Sequence, residues 1–178
     1  MTSMDRQRRF PGFLLLMALL VAACLGGPSR PSPDRMAADV ARLDDIIPIV
    51  AELRVTDFED SPYCQNLGYA RGAFGSLEQD GCAREGTIDF DAVALADHAR
   101  LAQAIETRTV PTSRIRDVSY AADDDVEAAW FTLDDASVVD DYAYLYDPAG
   151  AVPKVDQPGR LEFTQVAEDW WFVLSFDD

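Results

Sequence analysis

A chain of 178 residues with one histidine, His98, and one lysine, Lys154, lacks the raw material for several common functions. One imidazole cannot build a multi-histidine metal centre, and it leaves any Ser, His and Asp arrangement with a single candidate base. So little lysine, with arginines scattered, denies a phosphate backbone the clustered cations whose counterion release drives nucleic-acid binding. No nucleic-acid partner is expected. Glycine-rich phosphate loops, a dinucleotide fingerprint and zinc-ligand spacings are missing as well, so no cofactor and no metal are implied. The longest apolar run, residues 13–23, has 11 members, well short of the roughly 20 that a membrane-spanning helix requires.

Acid, by contrast, is plentiful. Aspartate and glutamate number 32 against 15 lysines and arginines, for a formal net charge of -17. Such a surface keeps a protein soluble and repels anionic lipid, so membrane attachment through charge is excluded. A hydrophobic content of 48% with 10% aromatics separates the chain from disordered sequences. Its length suits one domain with a real core.

The N-terminal segment has the layout of a secretory signal: basic Arg6, Arg8 and Arg9, then the apolar run, then small residues. It ends in Val21-Ala22-Ala23-Cys24. Here the chain resembles the bacterial lipoprotein signal family, whose motif is an aliphatic residue, two small residues and an invariant cysteine. The resemblance implies cleavage before Cys24, diacylglyceryl transfer to its thiol and acylation, as with palmitate, of the new amino group. It also implies a place in the cell envelope, anchored by lipid to a bacterial membrane, with the domain facing periplasm or exterior. Cleavage near Ala23 with an incidental Cys24 thiol is the alternative. On this reading residues 1–23 are signal peptide, and 24–33 are the lipidated cysteine and a Gly- and Pro-rich flexible linker. Residues 34–178 form a single α+β domain.

Setting Cys24 aside leaves Cys64 and Cys82. An oxidising compartment joins such a pair, with two buried free thiols as the alternative. Closing a loop of this length contributes about 3 kcal/mol in the chain-entropy view.

Ser32-Pro33-Asp34 reads as a helix start, with a hydroxyl cap, proline in the first turn and an early acid. Met36, Val40, Leu43 and Ile47 then form one stripe until Pro48. Residues 49–55 fit either a short helix or a strand. Residues 58–86, rich in Gly, Asp and Ser, read as a disulfide-braced loop with one short strand around 67–74. Asp89 is expected to cap the next helix inside a staple of Ile88 and Val93, and Phe90, Ala94, Leu101 and Ile105 share its inner face. Strands are predicted at 115–121, 126–133, 141–146, 161–166 and 170–176. The expected fold is α+β, with N-terminal helices packed on a four- or five-stranded antiparallel meander sheet.

Candidate chemistry is thin. His98 falls on the flank of the apolar stripe, which favours a structural role, and no Gly-x-Ser-x-Gly elbow accompanies it. Asp123-Asp124-Asp125 with Glu127 is the densest acid cluster, but it lacks the interleaved spacing of a calcium loop and reads as a solvated turn. Asp134-Asp135 and Asp140-Asp141 take the same reading. Tyr142, Tyr144 and Tyr146 alternate along one strand and form a candidate binding face; Trp170, Phe172, Leu174 and Phe176 form a second row. Either row could equally be cross-strand packing. The expectation is a non-catalytic binding module with a protein or cell-wall partner. The alternatives are a small envelope hydrolase using acidic residues with His98, or a domain for a small apolar ligand.

Overall fold

The computed structural model describes residues 30–77, 81–82, 85–133, 140–155 and 161–176. The signal peptide, the lipidation site Cys24, most of the linker and the Asp134-Asp135 pair lie outside the described residues. Residues 31–178 cluster as one compact unit.

Helix α1 spans Pro33–Leu43. The Ser32 hydroxyl accepts from the Arg35 amide at 3.3 Å, satisfying one of the free donors at the helix start. Met36, Val40 and Leu43 are buried as the spacing predicts, and Asp39 is buried among them. Ile47 does not extend this stripe. The chain turns after Leu43, and Ile47–Leu53 forms a second helix, α2. Pro48 lies in its first turn, where its missing N–H is no loss, so this proline opens a helix, and the preceding one has already ended at Leu43. Arg54, at φ 59°, terminates α2 in the left-handed conformation.

Strands β1 (Val55–Ser61), β2 (Cys64–Tyr69) and β3 (Phe74–Ser76) follow, then β4 (Ile88–Asp89) and helix α3 (Ala92–Arg108). The chain continues through β5 (Thr112–Tyr120), β6 (Val126–Leu133), β7 (Asp140–Tyr146), β8 (Leu161–Ala167) and β9 (Trp170–Phe176). All nine strands join one sheet in the order β4-β3-β2-β1-β5-β6-β7-β9-β8. The fold is therefore α+β, but the sheet is nearly twice the expected four or five strands and is not a plain meander. Strand β4 runs parallel to β3, and β9 inserts between β7 and β8. One helix, α3, sits between the two halves of the strand sequence instead of at the N-terminus.

The missed strands have a physical explanation. A register shift between Val55 and Asp57 puts two residues of β1 against one of β2. Val55 and Phe58 are thus buried three positions apart, which hides the period of two. The rest of β1 is acidic, so it reads as loop.

Among the described residues the three helices pack on one face of the sheet, where Leu43, Val50, Leu101, Phe58, Phe131 and Tyr144 belong to one buried cluster. Polar side chains tie the layers together. Trp170 donates from Nε1 to Asp44 at 2.7 Å, and the Tyr144 hydroxyl donates to Asp39 at 3.1 Å. Arg42 and Arg35 complete the neutralisation of the buried Asp39 carboxylate.

On the opposite face a smaller cluster gathers Ala128, Leu145 and Val173 with Trp130, Phe163 and Trp171. The turn after β7 folds over towards it. Asp147, buried, accepts from the amides of Ala151 at 2.8 Å and Val152 at 3.2 Å. Lys154 pairs with the same carboxylate, and its ammonium lies 5.3 Å from the Trp171 ring centroid. The one lysine of the chain is thus used to close a loop.

Cys64 and Cys82 are joined by a disulfide with a Cα separation of 5.3 Å. It braces β2 to the segment beyond β3, as the cysteine arithmetic predicts.

Candidate functional site

The residues with chemistry divide into those the fold locks and those it leaves open. His98 is locked. It is buried on α3, its Nε2 donates to the backbone carbonyl of Glu59 at 2.9 Å, and its ring lies 4.9 Å from Phe58 and 5.5 Å from Phe90. A nitrogen spent on a carbonyl inside an aromatic sandwich is not placed to take a proton from a substrate.

Tyr142 and Tyr144 are also locked. They are 4% and 0% exposed and lie under the helices, with Tyr146 half-buried beside them. Phe172 stacks on Tyr142 and meets Tyr144 edge-on. Of the candidate binding face of Tyr142, Tyr144 and Tyr146, the first two are accordingly core and Tyr146 is partly buried against it. Alternation along a strand shows that three side chains share a face; it does not say which face the helices cover. Burial first, and then the Asp39 carboxylate, push the Tyr144 phenol well above its usual range.

The Asp123-Asp124-Asp125 cluster forms the turn between β5 and β6, with Asp124 at φ 77° and ion-paired to Arg54. Among the described residues no group of three or more His, Cys, Asp or Glu side chains is arranged to hold a metal ion.

The open feature lies at the β4 end of the sheet, where the N-terminal turns of α3 approach β2, β3 and β4. A cleft of about 270 Å³ is lined there by Leu67, Phe90, Ile88 and Val93 with Tyr69, Asp89, Asp91 and Asp97. Its construction follows from local chemistry. Gly75 has no side chain, and a Cβ there would stand 2.7 Å from the Phe90 ring, so this glycine lets the ring lie against β3. Asp91 caps α3, accepting from the Ala94 amide at 2.8 Å. The expected cap, Asp89, is instead in β4. The expected staple is not made either: Ile88 is 54% and Val93 66% exposed, and both border the cleft.

The polar wall is set by a contact between distant segments. Tyr69 donates from its hydroxyl to Asp97 at 2.8 Å. Burial, followed by the hydrogen bond to Asp97 and the charges of Asp97 and Asp91, pushes the Tyr69 phenol well above its usual range. The phenol therefore stays a donor near neutral pH. Among the described residues no arginine or lysine joins Asp89, Asp91 and Asp97 in the lining, although the Arg100 guanidinium on α3 feels the charge of Asp97. Tyr69 also borders a second cleft, which carries Arg54, Arg71 and Asp124.

No protein-family model, curated protein or solved structure matches the chain. Sequence reasoning missed this cleft because its walls come from β2, β4 and α3, and only the pairing of β3 with β4 brings them together. The one available signal was the pair Ile88 and Val93 around Asp89 and Asp91, which reads first as a staple.

Proposed function

We propose that the chain is a lipid-anchored, non-catalytic binding module of the bacterial cell envelope, and that it engages its partner or ligand through the cleft between β2–β4 and α3. The carrying observation is the cleft itself: exposed Ile88 and Val93 over an apolar floor, rimmed by the carboxylates of Asp89, Asp91 and Asp97. Apolar area with a few convergent polar groups is the usual composition of a recognition site. The locked state of His98 supports binding over hydrolysis, because the hydrolase reading depends on that residue as base. The envelope assignment rests on the resemblance of Val21-Ala22-Ala23-Cys24 to a lipidation motif. The disulfide supports it, since such bonds persist in oxidising compartments.

Two measurements test the proposal. Mass spectrometry of the mature N-terminus is expected to find a peptide that begins at Cys24 and carries acyl chains; an unmodified thiol removes the anchor. Crosslinking on intact cells is expected to capture a partner with the wild-type chain and to lose it with Val93→Arg. Val93 is exposed, so that substitution leaves the fold intact. Equal capture by both chains overturns the assignment of the cleft.

A further inference from the structure

Several carboxylates that the fold holds meet a cation: Asp39 has Arg35 and Arg42, Asp124 has Arg54, Asp147 has Lys154. The cleft between β2–β4 and α3 differs. Asp89, Asp91 and Asp97 line one concavity, and among the described residues no lysine or arginine lines it. A concave site with low-dielectric walls and charges of one sign concentrates the field inside it.

The remaining lining specifies what kind of cation fits. The rings of Tyr69 and Phe90, with Leu67 and Val93, make an apolar body to the cleft. A bare metal ion would gain nothing from such walls and would lose its hydration, and the carboxylates are not arranged as a metal cage. An ammonium on an apolar stem uses both parts: the stem covers the hydrophobic floor, and the head meets aspartate and aromatic rings. The volume, about 270 Å³, lies at the lower limit of small-molecule sites and suits a single side-chain-sized group.

We propose that this cleft binds a small organic ammonium ion with an apolar or aromatic stem, of the size of phenethylammonium, its charge held by Asp97 and Asp89. The assignment rests on the binding-module reading and deepens it by naming the ligand class. Asp91 is occupied by its helix cap and acts through its charge alone.

The test is calorimetric titration of the full chain in neutral detergent with phenethylammonium, with its neutral counterpart phenethyl alcohol, and with the anion 3-phenylpropionate. The ammonium is expected to bind at least about tenfold more tightly than the alcohol, with no binding of the anion. Asp89→Asn/Asp97→Asn is expected to remove that preference while leaving the thermal midpoint nearly unchanged. The asparagine oxygen at 97 can still accept from Tyr69, and Asp89 is exposed. Equal affinity for ammonium and alcohol overturns the cation assignment and leaves the cleft as an apolar binding site. Absence of binding by all three ligands also overturns it. If Val93→Arg then still captures the wild-type partner, the binding-module reading of this cleft fails too. Tighter binding of N-acetyl-lysine amide than of phenethylammonium overturns the free-amine source in favour of a side chain on a protein partner.

Discussion

Tyr69 on β2 donates a 2.8 Å hydrogen bond to Asp97 on α3, across 28 positions of sequence. The bond orients one carboxylate of the cleft and joins the helix to the sheet beside it. Both groups are only partly buried, so water can replace the phenol when it is removed. Tyr69→Phe is accordingly expected to cost about 1 kcal/mol, measured as a lower urea midpoint with an unchanged slope. A loss several times larger would mean that the pair organises more of the fold than this one contact.

Tyr144 and Asp39 make the corresponding contact in the interior, and there water cannot substitute. Asp39→Ala leaves the phenol of Tyr144 without this acceptor in a fully buried site and removes the ion pairs to Arg35 and Arg42. The expected loss is about 2 to 3 kcal/mol. Tyr144→Phe keeps the carboxylate with its arginines and is expected to cost about 1 kcal/mol. Denaturant unfolding of the single and double variants reads both losses and their coupling. A neutral Asp39→Ala would refute the pairing.

The phenols of Tyr69, Tyr120, Tyr144 and Tyr146 are all held above the ordinary value of 10.0, in each case chiefly by burial. Below pH 10 they are protonated in both folded and unfolded chains, and the stabilisation is fully present. As pH rises through 10 the unfolded chain releases protons that the folded chain retains, so stability falls with increasing pH. Denaturation midpoints taken from pH 8 to 11, with tyrosinate absorbance followed in parallel, are expected to show this decline. A flat profile across that window would contradict the burial of these rings.

Reduction of Cys64–Cys82 is expected to lower stability by about 3 kcal/mol. Guanidinium unfolding with and without reductant gives the difference, and hydrogen exchange should place the loosening in β2 and β3. Strands β5 to β9 make their hydrogen bonds elsewhere in the sheet and should keep their protection.

Local chemistry is what made parts of this fold legible. Ser32-Pro33 names a helix start because a hydroxyl cap and a first-turn proline act within a few residues. The strands of the second half follow from β-forming runs between acidic turns, although β5 begins three residues before the predicted 115 and buries every third residue, Thr112, Ile115 and Val118, instead of alternating. The Asp89 cap failed for the same local reason: Asp91, two residues on, offers equal capping chemistry, and pairing of Ile88–Asp89 with β3 decided between them. The tyrosine row was correctly placed on one face, but the identity of that face depends on where α1 and α2 dock.

By itself the amino-acid sequence determined the mixed α+β character, the helix entry at Pro33, the run of strands in the second half and the pairing of Cys64 with Cys82. Each depends on periodicity, capping or cysteine count, which neighbouring residues express on their own. Only the tertiary structure decided that nine strands share one sheet, that Tyr142 and Tyr144 are core, and that three aspartates meet at a cleft. Those outcomes rest on contacts such as Asp39 with Tyr144, 105 positions apart, and Asp44 with Trp170, 126 apart. Such contacts form because burial of the joint core outweighs local preference, and no short window of sequence contains both partners.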